Sequence, residues 1–281
     1  MKKVAFLICA IVTVLATGCS NGNTSVSSSK NEKILKEDLS SYFTGYDGCF
    51  VLFDQNKNEY SIYNEPKSQK QVSPCSTFKI MNALIGLETK VLTDQNTIFK
   101  WDGTAYQNEA WNKDQTLAAA ITNSTFWYFQ QNASKVGSDR MQSYIDKVDY
   151  GNKDISGGIT QFWEQSSLKI SPREQVEILK RIYTYQIPIS KGNIDIVKRI
   201  LVLSKENGAT LSGKTGSGLK GIGSFIPQGT EDGYIIGWFI GYVERDNNVY
   251  YFATNIEGEK DAYGGKAKEI TLKILKDKKL F

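Results

Sequence analysis

Apolar and polar positions alternate along the chain in three regimes. The first is β-rich: Gly48-Cys49-Phe50-Val51-Leu52-Phe53-Asp54 and Glu59-Tyr60-Ser61-Ile62-Tyr63 flank a polar Gln55–Asn58 turn, which predicts a hairpin preceded by a short helix around Ile34–Phe43. The second is helical: a helix around Ser76, then a section rich in helical patterns over roughly residues 94–205. After Ser73-Pro74-Cys75-Ser76-Thr77-Phe78-Lys79, the apolar residues Ile80, Leu84, Ile85 and Leu87 mark one buried face, with Pro74 suited to the helix entrance. Asp114–Ile121 reads as a helix start with Leu117, Ala118 and Ile121 on one face. Ser171-Pro172-Arg173-Glu174 is a cap, a first-position proline and an acidic first turn, followed by the stripe Val176, Leu179, Ile182 and Tyr183. Indole and phenol rings are frequent here: Trp101, Tyr106, Trp111, Trp127, Tyr128 and Trp163.

In the third regime, short runs are broken by glycine: Thr210–Thr215, Ile222–Ile226, Tyr234–Val243 and Val249–Ile256, with Arg245–Asn248 as a turn. The last three runs predict an antiparallel meander, and Lys266–Lys278 a closing helix. Strands, a helical insert, more strands and a final helix give an α+β arrangement in which the terminal strands share one sheet. The catalytic domain is expected over 33–281, with a helical subdomain over roughly 90–205 inserted in an α/β subdomain.

The N-terminus stands apart. Lys2-Lys3, an apolar run from Val4 to Ala16 and Thr17-Gly18 read as an export signal over 1–18, since the run is too short to span a membrane. A buried N-terminal helix is the bland alternative. Ala16-Thr17-Gly18-Cys19 resembles a bacterial lipobox with alanine where leucine is usual, so Cys19 is expected to carry lipid and residues 20–32 to form a polar tether. The expected location is therefore the outer face of the cell membrane. Removing Lys2 and Lys3 from the 34 basic residues leaves 32 against 30 acidic ones, which gives no footprint for nucleic acid. Cys9 leaves with the signal. Cys49 and Cys75 remain, and an exported protein can pair them; their apolar neighbours favour free buried thiols.

Composition also limits the chemistry. The chain contains no histidine, which rules out a Ser-His-Asp triad and removes the commonest metal ligand. A serine nucleophile needs a neighbouring base, and Lys79 lies one helical turn from Ser76. Ser76-Thr77-Phe78-Lys79 is an S-x-x-K pattern. Ser124 follows in Asn-Ser-Thr-Phe-Trp-Tyr-Phe-Gln, then Tyr150-Gly151-Asn152, then Lys214-Thr215-Gly216-Ser217-Gly218. Each signal is weak alone, but S-x-x-K followed by K-T-G is the signature of serine acylation by β-lactams.

From about residue 40 onward the chain resembles the class D (oxacillinase-type) serine β-lactamases of Gram-positive bacteria. The resemblance rests on these motifs together with Lys100-Trp101-Asp102-Gly103, Trp111-Asn112 and Phe162-Trp163, the last lying eleven residues after the Tyr-Gly-Asn motif. It implies the penicillin-recognising fold, with a central antiparallel sheet flanked by helices. It also implies hydrolysis of penicillin-like antibiotics through an acyl-enzyme on Ser76. Lys79 would be N-carboxylated by carbon dioxide or bicarbonate and so act as general base for both acylation and deacylation, Trp163 would donate its indole N–H to the carbamate, and no other cofactor or metal is expected.

By the same resemblance, Ser124 relays a proton to the leaving nitrogen, while Lys214 steers the substrate carboxylate and polarises Ser124. Thr215 bonds that carboxylate on the Lys214-Thr215-Gly216 strand, and the backbone N–H groups of Ser76 and Ser217 form the oxyanion hole. Tyr150 and Asn152 shape the pocket. Phe126 stands where valine is common and shields the carbamate. The family arginine near the last helix has no match, although Lys266 and Lys268 lie nearby. Two other readings share the motifs: a β-lactam sensor that stops at the acyl-enzyme, and a penicillin-binding enzyme acting on peptidoglycan. Sensors are joined to transmembrane helices, and no second hydrophobic segment of this chain reaches spanning length.

Overall fold

In the computed structural model, which describes residues 32–219 and 233–281, the apolar runs at the two ends of the chain join in one seven-stranded sheet. In chain order the strands are β1 (Lys33–Lys36), β2 (Asp47–Asp54), β3 (Glu59–Tyr63), β4 (Ile98–Phe99), β5 (Gln115–Thr116), β6 (Val202–Glu206), β7 (Ala209–Leu219), β8 (Tyr234–Arg245) and β9 (Asn248–Glu257). The helices are α1 (Glu65–Ser68), α2 (Lys79–Glu88), α3 (Leu117–Thr122), α4 (Phe126–Val136), α5 (Ser138–Val148), α6 (Pro172–Tyr183), α7 (Lys191–Ile200) and α8 (Gly264–Asp277). Sheet order is β1-β3-β2-β9-β8-β7-β6, and β4 pairs with β5 in a separate ribbon.

Side chains alternate across the sheet and both faces are covered. Val51, Phe53, Trp238, Ile240 and Tyr251 pack with α2 and α6 on one face, while Phe50, Leu52, Phe239, Phe252 and Ile256 meet Ala267, Ile270, Ile274 and Leu275 of α8 on the other. Double coverage explains why β2 and β8 read as nearly continuous apolar runs.

Three expectations change. Residues 33–36 form a strand, not a helix: β1 pairs in parallel with the free edge of β3, Ile34 opposite Tyr60, so the sheet is mixed where an antiparallel one was expected. Only Ile34 and Leu35 are apolar before Glu37-Asp38, too few for a buried helical face, so edge pairing wins. A 3-10 turn, Ser40–Phe43, follows, with Phe43 stacked on Tyr63 at 4.9 Å. The meander forms from β7, β8 and β9, whereas the run Ile222–Ile226 lies outside the described residues, as do the signal, Cys19 and the tether up to residue 31. Glu32, assigned to the tether, is tied down by Lys180 at 3.1 Å and Arg173 at 3.5 Å. The Ser171 cap forms in full, with both halves of a capping box.

Candidate active site

The predicted helix at Ser76 is built in two parts. A 3-10 turn, Cys75–Phe78, leads directly into α2, and Cys75 takes a left-handed φ of +48° that turns the chain into it. One turn later Lys79 Nζ donates to Ser76 Oγ at 2.5 Å. The amine is enclosed by aromatic rings: Phe126 and Phe129 centroids lie 5.8 and 5.9 Å from Nζ, and Phe78 stacks on Trp163 at 5.6 Å. Burial disfavours the charged amine and lowers Lys79 to about 8, with Glu164 and Cys75 pulling the other way.

Ser124 sits between α3 and α4 with a left-handed φ of +53°. The turn is held by the Trp111 indole, which donates to Asn123 O at 2.9 Å, and by Thr125 N–H to Ala120 O at 2.9 Å. Ser124 Oγ accepts from Lys79 Nζ at 3.2 Å and from Lys214 Nζ at 3.0 Å. Lys214, on β7, is buried, and desolvation first and Lys79 second bring it down to about 7.

Gly216 explains how β7 reaches the nucleophile. A Cβ there would stand 3.0 Å from Pro74 O and 3.1 Å from Thr77 Cγ2, so the strand backbone presses on the turn that carries Ser76. Thr215 precedes it on the strand, half-buried, and Ser217 Oγ accepts from Gly264 N–H at 2.9 Å, joining β7 to the start of α8. Lys266 pairs with Glu269 at 2.7 Å, and Lys268 lies over the Phe239 ring on the α8 face of the sheet.

The Tyr150-Gly151-Asn152 motif fastens the loop that brings Trp163 against Phe78 and Phe126. Tyr150 is buried with its ring edge-on to Phe78 at 5.5 Å. Gly151 has a φ of +53°, and a Cβ on it would fall 1.9 Å from Lys169 O. Asn152 departs from its expected role: its side chain is exposed and brackets the loop's return, donating to Ser167 O at 2.8 Å and accepting from Lys169 N–H at 2.9 Å. It holds the wall instead of lining the pocket. Trp163 is fully buried, and its indole N–H is enclosed without an acceptor among the described residues.

Two residues were not anticipated. Ser73 Oγ donates to Trp163 O at 2.9 Å and accepts from Gln165 N–H at 2.7 Å, clamping the loop to the segment that leads into Ser76. Nothing in the sequence marks it. Glu164, between those two clamped residues, brings a carboxyl to the pocket; a charged residue directly after the apolar Phe162-Trp163 pair was the available signal. Cys49 and Cys75 are both free and buried, and burial pushes the Cys49 thiol up to about 12.

The family model for the penicillin binding protein transpeptidase domain matches residues 48–276. The chain is 37% identical over 276 residues to the probable β-lactamase YbxI of Bacillus subtilis (strain 168), covering 98% of this chain and 97% of that one. Among solved structures, the class D β-lactamase BAT-2 superposes with a TM-score of 0.79 at 40% identity, over 87% of this chain and 97% of its own. The C-terminal domain of the Bacillus licheniformis BlaR penicillin-receptor gives a TM-score of 0.82 at 39% identity, over 89% and 98%. With Ser76, Lys79, Ser124 and Lys214 joined by hydrogen bonds at the centre of this fold, the chain belongs to the penicillin-binding transpeptidase-domain family and, within it, to the class D serine β-lactamases.

Proposed function

We propose that the protein hydrolyses the β-lactam ring of penicillin-like antibiotics through an acyl-enzyme on Ser76. The observation that carries this reading is the 2.5 Å contact between Lys79 Nζ and Ser76 Oγ inside an aromatic enclosure. A buried amine near neutrality is free to be N-carboxylated, and Lys79 so modified would supply the base that takes the hydroxyl proton as Oγ attacks the lactam carbonyl. Backbone N–H groups of Ser76 and Ser217 stabilise the oxyanion. Ser124, bonded to both lysines, hands a proton to the departing nitrogen and recovers one from them. Lys214 and Thr215 hold the substrate carboxylate; with no arginine fork, a single ammonium does that work.

The carbamate of the family fits this pocket. Lys79 is poised to be neutral, and the enclosed Trp163 N–H lacks an acceptor. Lys79 and Trp163 would hold the group, which supplies an anionic oxygen base for activating the hydrolytic water. Phe126 walls that side from bulk solvent.

Similarity to a penicillin receptor domain supports a second reading, a sensor that stays acylated. Mixing residues 30–281 with a chromogenic penicillin, with and without bicarbonate, separates them. Repeated turnover stimulated by bicarbonate is expected, and a persistent one-to-one mass adduct would replace the hydrolase with the sensor. We further propose export and lipid attachment at Cys19: the full chain expressed in a Gram-positive host should partition with membranes, and a Cys19→Ser chain should not. Equal partitioning of the two would exclude the anchor.

A further inference from the structure

The aromatic wall around Lys79 is built where α2 packs on α4. Down α2, Lys79, Asn82 and Gly86 follow one another at helical spacing, and down α4 Phe126, Phe129 and Asn132 do the same. The two rows meet in order. Lys79 Nζ lies 5.8 and 5.9 Å from the Phe126 and Phe129 ring centroids. One turn on, Asn82 Nδ2 donates to Phe129 O at 3.2 Å. Asn132 Nδ2 returns two bonds, to Asn82 O at 2.9 Å and to Asn82 Oδ1 at 2.6 Å. A Cβ at Gly86 would lie 2.5 Å from the Asn132 amide, so a side chain there would push the helices apart. Both asparagines are fully buried.

An amide pair is a costly way to join two helices. Asn132 Oδ1 is enclosed with no donor among the described residues, and an unsatisfied buried acceptor lowers stability. Apolar side chains of matching shape would join α2 to α4 without that loss. What the amides add is direction. Hydrogen bonds fix which turn of α4 sits against which turn of α2, whereas apolar contacts tolerate a slide. The turn so fixed is the one that presents Phe126 and Phe129 to Lys79.

We propose that Asn82 is a positioning residue for Lys79: its bond to Phe129 O keeps the aromatic wall closed and water away from the amine. This rests on the carbamate reading of Lys79, because an amine kept from water sheds its proton more readily and is then free to react with carbon dioxide. Glu164, the Cys75 thiol and Lys214, the charged and titratable groups around Lys79, lie off the α2–α4 contact.

The test compares the wild-type protein with Asn82→Leu, Asn82→Ala and Asn132→Ala. Two quantities are measured: the thermal midpoint, and the bicarbonate needed for half-maximal turnover of a penicillin at pH 7. Leucine keeps a branched shape without polar atoms, and alanine guards against a leucine variant that does not fold. Water at the amine raises its proton affinity, so both Asn82 variants should need about tenfold more bicarbonate, the equivalent of one pH unit. Asn132→Ala loses the amide pair but keeps the Asn82 bond to Phe129 O, so it should lose stability with bicarbonate demand close to wild type. A lowered midpoint with wild-type demand in both Asn82 variants would make the residue structural only and overturn the proposal. An equal rise in demand in Asn132→Ala would also overturn it, by assigning the shift to general loosening of α4. Wild-type turnover indifferent to bicarbonate would overturn the carbamate reading and the proposal with it.

Discussion

Lys79 and Lys214 meet at a single atom: both ammonium nitrogens lie within hydrogen-bond distance of Ser124 Oγ, at 3.2 and 3.0 Å. They approach it from α2 and from β7, elements 135 positions apart in sequence at these residues. Two buried cations this close cannot both stay protonated at low cost, and the last charge to arrive depresses its neighbour. The shared hydroxyl is thus a junction at which a proton can pass between Lys79, proposed to activate Ser76, and Lys214, proposed to hold the substrate carboxylate.

The pH dependence follows from that pair. On the proposed function Lys79 must shed its proton before it can be N-carboxylated, so at a fixed level of dissolved carbon dioxide the rate of acylation by a penicillin, measured by rapid quench, should rise with pH through about 8. Stability has a defined sign as well. Both lysines fall below 10.5 in the folded state, so above their folded values the unfolded chain binds more protons and stability climbs with pH up to the unfolded value. Denaturant titrations at a series of pH values should show this slope, and Lys214→Met should roughly halve it. A stability that declines over this range would contradict the assignment.

Gly151→Ala tests the loop fastening. The left-handed backbone and the Lys169 carbonyl 1.9 Å from the new Cβ leave no relaxed solution, so the variant should lose about 1–3 kcal/mol or more. Because Lys169 closes the loop that carries Trp163, turnover should fall further than the population of folded protein does. A thermal midpoint equal to wild type would show that the loop is not held there.

Trp163→Phe separates a packing role from a hydrogen-bonding one. Phenylalanine keeps the stack on Phe78, and deleting an enclosed donor without an acceptor is close to neutral for the fold. The expected result is a thermal midpoint near wild type, with about tenfold more bicarbonate needed for half-maximal turnover, the worth of a charge-assisted bond. A large loss of stability with unchanged bicarbonate demand would make Trp163 a core aromatic only.

Carboxylate recognition can be assigned by substitution. Lys266 is committed to Glu269 and Lys268 to the opposite face of the sheet, so Lys266→Gln and Lys268→Gln should leave the KM for benzylpenicillin within about twofold, in line with the small worth of exposed ion pairs. Thr215→Val should raise it about fivefold or more, one lost hydrogen bond to a charged group. The reverse pattern would move the carboxylate site to α8.

Much of the fold was legible because its signals are local. The hairpin β2–β3, the capping box at Ser171 and the stripes of α2 and α8 are written in period-2 and period-3.6 patterns that need no distant partner. The strand at Lys33–Lys36 was not legible, since its four residues carry no pattern of their own and take their structure from the exposed edge of β3.

The candidate site divides in the same way. Sequence alone excluded a histidine base, paired Ser76 with Lys79 by helical spacing, and ordered Ser124 and Lys214 after them. Only the tertiary structure decided that both lysines converge on Ser124, that Asn152 braces a loop instead of lining the pocket, and that Ser73 clamps the loop that carries Trp163. The physical reason is that spacing along a helix is fixed by backbone geometry, whereas the burial, mutual approach and proton affinity of groups on separate elements exist only once the sheet and helices have packed together.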